Sequence, residues 1–61
     1  MNPERKRKIL LVEDDPVAAA ITSAMLKHNG YDVVTVASGI RAIDRIGNDS
    51  SIELILMDID L

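Results

Sequence analysis

Lys8-Ile9-Leu10-Leu11-Val12-Glu13-Asp14-Asp15-Pro16 decides the fold. Four apolar residues, Ile9 to Val12, run without a break and stop at three acids. Continuity rather than alternation predicts a strand over Lys8 to Val12 that is dry on both faces, hence central in a parallel sheet. Asp15-Pro16 then reads as a helix start. The Asp15 carboxylate can accept from amides of the first turn, and Pro16 suits the first helical position because it has no amide to satisfy.

Working outward, the spacing predicts a helix over Pro16 to His28, with Val17, Ile21, Ala24, Met25 and His28 recurring as one stripe. Ala18, Ala19 and Ala20 add helix propensity and permit close approach to a sheet. Asn29-Gly30 is the expected stop, Gly30 being free to take a left-handed conformation. A second strand follows at Tyr31 to Val36. Ser38 caps a second helix over Gly39 to Ile46, with Ile40, Ile43 and Ile46 three apart; Arg41 stands where a capping-box acid would stand, so the box is absent. Gly47-Asn48-Asp49-Ser50-Ser51 reads as a loop, and a third strand runs from Glu53 to Met57, ending at Asp58-Ile59-Asp60.

Strand, helix, strand, helix, strand with right-handed crossovers gives an α/β fold: a doubly wound parallel sheet with the first strand between the other two. The helices are expected on opposite faces. No helix follows the third strand, so its outer edge would expose backbone groups and apolar side chains. Residues 1–7 are accordingly expected to be a basic tail, and residues 8–61 the first half of a longer domain.

Composition narrows the class. Hydrophobic residues make up 48% of the 61, yet Tyr31 is the sole aromatic, so the core must be built from Ile, Leu, Val, Met and Ala. The absence of cysteine excludes disulfides and thiolate metal sites. Net charge is −3 and uneven: residues 1–8 hold four bases and one acid, the remainder three bases and nine acids. The acidic remainder argues against direct nucleic-acid contact by the folded part. The apolar run after the charged start is too short for a signal peptide or a membrane span, which makes a cytoplasmic location the expectation.

In open parallel sheets, chemistry sits at the carboxyl ends of the strands. Glu13, Asp14 and Asp15 follow the first strand, and Asp58 and Asp60 follow the third, so five carboxylates share one rim. With Asp15 spent as a helix cap, Glu13, Asp14 and Asp58 form the natural group. Like charges packed together raise one another's pKa values or require a cation. With no sulfur ligand, that cation is hard and oxygen-seeking, Mg²⁺ or Mn²⁺. A phosphate-cradling glycine loop is excluded, because Glu-Asp-Asp-Pro occupies its place. A carboxylate can also attack phosphorus to give an acyl phosphate, and Asp58, at a strand end, is the candidate nucleophile. The blander alternative is that acids at strand ends are hydrophilic punctuation.

Ile9-Leu10-Leu11-Val12-Glu13-Asp14-Asp15-Pro16 and Leu54-Ile55-Leu56-Met57-Asp58-Ile59-Asp60-Leu61, with Gly30-Tyr31 and Ala37-Ser38-Gly39 between them, resemble the receiver domain of two-component response regulators. The resemblance spans about residues 8 to 61. It implies the flavodoxin-like receiver fold, here truncated to β-α-β-α-β, and a phosphoprotein of a phosphorelay rather than an enzyme with its own turnover. It further implies Asp58 as phosphoacceptor, Asp14 and Asp58 as Mg²⁺ ligands, Glu13 acting on the metal through water, and the backbone carbonyl of Asp60 as a further ligand. The implied partner is a sensor histidine kinase or a histidine phosphotransfer domain, with no membrane contact. The family's later Thr or Ser and its Lys lie beyond Leu61, so the remainder of the domain is expected to complete the fold, and labelling of these 61 residues by acetyl phosphate is expected to be weak.

Two other function classes compete. A pseudo-receiver would act by protein contact alone, independent of phosphorylation. A metal-dependent phosphohydrolase would carry Asp-x-Asp after the first strand, whereas Asp58-Ile59-Asp60 follows the third. His28, at a helix end far from the acids, reads as a packing residue or as favourable charge placement at the helix C-terminus; Met25 and Met57 read as core filler, Tyr31 as a half-buried strand start, and Asn48-Asp49-Ser50 as solvent loop.

Overall fold

The computed structural model describes residues 6–58. The chain order is β1 (Lys8–Glu13), α1 (Pro16–His28), β2 (Asp32–Val36), α2 (Gly39–Asn48) and β3 (Ile52–Asp58). The sheet is parallel with order β2-β1-β3, which places the most apolar strand in the centre. Ile9, Leu10, Leu11 and Val12 are all at most 2% exposed. Burial on both faces requires cover on both. Leu10 and Val12 pack with Ala42 of α2, and α1 lies against β1 and β2 on the other side, over the alternate residues Ile9 and Leu11.

Local chemistry fixes the helix ends. The Asp15 carboxylate accepts from the Val17 N–H at 3.0 Å, and Pro16 opens the helix as expected. At the other end the Tyr31 N–H donates to the Leu26 carbonyl and the Gly30 N–H to the Lys27 carbonyl. This paired closure requires Gly30 at φ +94°, a conformation that costs glycine little. Ser38 caps α2 by accepting from the Arg41 N–H at 3.2 Å. The second helix runs two residues beyond the expected Ile46, because the Asn48 amide reaches back to the Asp44 carbonyl at 2.8 Å and prolongs the last turn.

The stripe expected on α1 does not face the sheet. Val17, Ile21 and Met25 are 66%, 63% and 57% exposed, and Ala24 and His28 are also exposed. The buried side is Ala19, with Thr22, Ser23 and Leu26 half-buried. Small side chains let the helix axis approach β1 and β2, so size selected the face against hydrophobicity. Ile40 and Ile43 of α2 are likewise exposed, while Ala42 points inward.

Both helices lie over β1 and β2, which leaves β3 as an apolar shelf. Leu54, Ile55, Leu56 and Met57 are 39–57% exposed, so both faces of this strand meet solvent; Met57, expected as core filler, is among them. At the sheet's opposite end from the acids, the Lys8 ammonium donates to Asp49 and to Ser51 Oγ, tying β1 to the turn before β3. Lys8 and the Ser51 hydroxyl and amide hold the Asp49 carboxyl well below the usual carboxylate range. This cross-link was not foreseen: Asp49 reads in the sequence as solvent loop.

The packing predicts a contrast between two aliphatic truncations. Leu10→Ala, at a position with no exposure, should lower unfolding free energy by about 2–5 kcal/mol. Ile21→Ala, on the outer side of α1, should change it by no more than about 0.5 kcal/mol. Urea titration followed by circular dichroism checks both, and an equal loss at the two sites would contradict the orientation of α1.

Candidate functional site

The acids gather because of strand register. In the β1–β3 pairing Ile9 lies opposite Leu54, Leu11 opposite Leu56 and Glu13 opposite Asp58. Partners in a parallel ladder project to the same face, so the two carboxyl-bearing tips stand side by side on the α1 side. Asp14 follows in the turn that leads into α1.

Glu13 is only 6% exposed although it is charged. Its Oε1 accepts from the Asp15 N–H at 3.0 Å, which locks the carboxyl into the β1–α1 turn. The same carboxyl contacts those of Asp14 and Asp58. The Asp15 N–H is the largest single influence on it and favours the charged form. Burial, the two carboxyl contacts and the negative charge of Asp58 act the other way and together prevail, so the Glu13 pKa is raised.

Of the residues singled out in the sequence, Glu13, Asp14 and Asp58 lie at one end of the sheet, and Asp15 is engaged as a cap. Asp60 lies outside the described residues. Among the described residues, no three acidic or histidine side chains are gathered closely enough to enclose a metal ion. What the chain presents is an all-oxygen rim with Glu13 at its centre. That donor chemistry suits a hard cation that retains several waters, and it does not suit zinc or a closed calcium cage.

Beside the rim a groove of about 530 Å³ runs between α1 and the end of β2, with Pro16, Ala20 and Ser23 on one wall and Thr35 and Ala37 on the other, and Asp14 at its end. Sequence reasoning did not anticipate it; the signal was the run of small residues in the first turns of α1. Among the described residues, no helix is long and apolar enough to cross a membrane.

A raised carboxyl pKa has a definite consequence for stability. The folded chain holds the Glu13 proton more tightly than the unfolded chain does. The resulting stabilisation is fully present below the unfolded value of about 4.5 and is lost as pH rises through the higher folded value. Glu13→Gln, which keeps the acceptor for Asp15 and cannot ionise, should therefore be more stable than the wild type at pH 7 in EDTA. The difference should vanish below the unfolded value. Urea midpoints across this pH range measure it, and a glutamine variant that is less stable throughout would contradict the assigned direction.

Comparison with known proteins agrees with the fold. The response regulator receiver domain matches residues 9–61. The sensor protein TorS of Escherichia coli is 35% identical over 54 residues, 88% of this chain and 6% of that protein. Histidine kinase 5 of Arabidopsis thaliana is 41% identical over 54 residues, again 88% and 6%. The transcriptional regulatory protein CpxR of Escherichia coli is 36% identical over 52 residues, covering 85% of this chain and 22% of that protein. The chain thus spans less than a quarter of the length of these relatives. No solved structure gives a significant match. The sheet order, the acids that follow β1 and β3, and the match over 9–61 lead to one assignment: the chain belongs to the response regulator receiver domain family.

Proposed function

We propose that Asp58 accepts a phosphoryl group from a phosphohistidine, with Mg²⁺ held by Asp14, Asp58 and the backbone carbonyl of Asp60, and with Glu13 acting on the metal through water. Receiver domains serve phosphorelays as phosphoacceptors and are not enzymes with independent turnover. The observation that supports the residue assignment is the register that sets Asp58 opposite Glu13, on the last residue of a rigid strand and beside the turn that carries Asp14.

The chemistry follows from those positions. An Asp58 carboxylate oxygen attacks phosphorus in line; the P–N bond to the donor imidazole breaks, and its electron pair returns to the ring, giving an aspartyl phosphate and a free histidine. Bound Mg²⁺ would offset the negative charge of the transferring oxygens and of the acids around them. Glu13 is held by the Asp15 N–H and stays out of the attacking position.

The partner in this reading is a sensor histidine kinase or a histidine phosphotransfer domain, and the location is cytoplasmic. TorS and Histidine kinase 5 are sensor and kinase proteins by name, which supports a receiver within such a pathway. Residues 1–7 are read as a basic tail and residues 8–61 as the first half of a receiver domain. The remainder would cover the β3 shelf and supply the hydroxyl and lysine that engage the phosphoryl group in this family.

The test is a Mg²⁺ titration of a complete domain carrying this segment, with and without beryllofluoride, compared with Asp58→Asn. The wild type should respond to beryllofluoride only when Mg²⁺ is present. The variant should lose that response while keeping most of its metal binding. An undiminished beryllofluoride response in Asp58→Asn would overturn the assignment of the acceptor.

A further inference from the structure

We propose that Asn29 is a covalent modification site guarded by the closing turn of α1. Its side-chain amide is converted to a carboxyl through attack by the Gly30 nitrogen, and only in molecules whose last helical turn has opened.

The chemistry is set by two adjacent residues. The Asn29 side-chain carbonyl carbon is an electrophile, and the backbone nitrogen of the next residue is its nearest nucleophile. Attack of the Gly30 nitrogen on Asn29 Cγ forms a new N–C bond. The side-chain nitrogen leaves as ammonia, carrying the hydrogen shed by the Gly30 nitrogen, and a five-membered imide remains. Water opens that ring at either carbonyl, giving aspartate or isoaspartate; in the second, the backbone runs through the former side chain. Glycine has no side chain to obstruct the approach. The other two asparagines are poorer sites by the same criterion: Asn2 precedes Pro3, whose nitrogen carries no hydrogen, and Asn48 precedes Asp49, whose β-carbon crowds the attack.

The fold holds the reacting groups apart. Asn29 and Gly30 are both exposed, so burial gives no protection; geometry does. The Asn29 side-chain amide donates to the Met25 carbonyl at 2.8 Å, which draws it back along the helix. The Gly30 N–H donates to the Lys27 carbonyl at 3.0 Å, which engages the hydrogen that the attack must shed. Asn29 has ψ 10°. That angle turns the Gly30 nitrogen toward the residue's own backbone nitrogen, whereas ring closure needs it beside Cβ. The positive φ of Gly30 and the bond from the Tyr31 N–H to the Leu26 carbonyl fix this arrangement. Every one of these contacts lies within residues 25–31, so the guard is as strong as one helical turn and not as strong as the sheet. Conversion also runs one way. A carboxylate at residue 29 has no hydrogen to give the Met25 carbonyl, and it sets a negative charge at the negative end of the helix dipole. The turn closes less well after conversion than before it.

The test incubates a complete domain carrying this segment in mildly alkaline buffer, with and without denaturing urea, and follows each asparagine by peptide mass spectrometry. In urea Asn29 should convert well ahead of Asn48. In the fold it should convert at least about tenfold more slowly than in urea. Equal rates in the two states overturn the guard, and an Asn29 that does not convert in urea overturns the site. As urea is raised below the unfolding transition, the Asn29 rate should follow hydrogen exchange of the Gly30 and Tyr31 amides. A rate that follows the Leu10 and Leu11 amides instead assigns the protection to the whole sheet and overturns the role of the turn. Asn29→Asp carries the product's charge without its backbone change. It should speed exchange at Gly30 and Tyr31 several-fold and leave Leu10 unaltered; unchanged exchange at all three overturns the one-way step.

Discussion

The structure depends on the parallel pairing of β1 with β3. Five residues of β1, Ile9 to Glu13, supply most of the full burial among the described residues, and they supply it on both faces. The same pairing carries the acids, because the strand ends where hydrophobicity ends. Glu13 is the last residue of β1 and Asp58 the last of β3, and they are opposite one another. Drying the strand and concentrating negative charge at its tip are therefore one event. A sheet that buries Ile9 to Val12 between two helices cannot avoid delivering Glu13 to a nearly dry position next to two other carboxyls.

That arrangement costs stability in the absence of a cation, and the chain contains partial compensation. The Asp15 N–H stabilises the charged form of Glu13, and Asp15 itself is fixed by its own bond to the start of α1. One three-residue turn thus positions a buried carboxyl, caps a helix and leaves Asp14 at the solvent boundary. At the far end of the sheet, Lys8 and Asp49 form a half-buried pair that ties β1 to the turn before β3.

Much of this was legible in the residues. The unbroken run before Glu13, the Asp15-Pro16 start and Asn29-Gly30 stop of α1, and the strand order all follow from local rules, since caps and chain continuity act over a few residues. The orientation of α1 was not legible. Its large aliphatics form a good stripe, but the side against the sheet is the one with Ala19, Thr22 and Ser23, because close approach of helix to strand outweighed the burial of Val17, Ile21 and Met25. The extension of α2 to Asn48 was hidden for a related reason. Asn48 reads in the sequence as part of a loop, whereas its amide serves the helix by bonding to the Asp44 carbonyl. At the acidic rim the sequence identified the residue types; it could not give the burial of Glu13 or the shift of one residue between β1 and β3, since both arise only when the strands meet.

The most direct test of the account is the ¹³C titration of the Glu13 carboxyl in the metal-free chain, repeated with Asp58→Ala. If the two strand tips are in contact, the wild-type group titrates above the ordinary glutamate range and moves down when the neighbouring carboxyl is removed. A Glu13 that titrates normally in both proteins, indifferent to residue 58, would contradict the shared rim on which the functional reading stands.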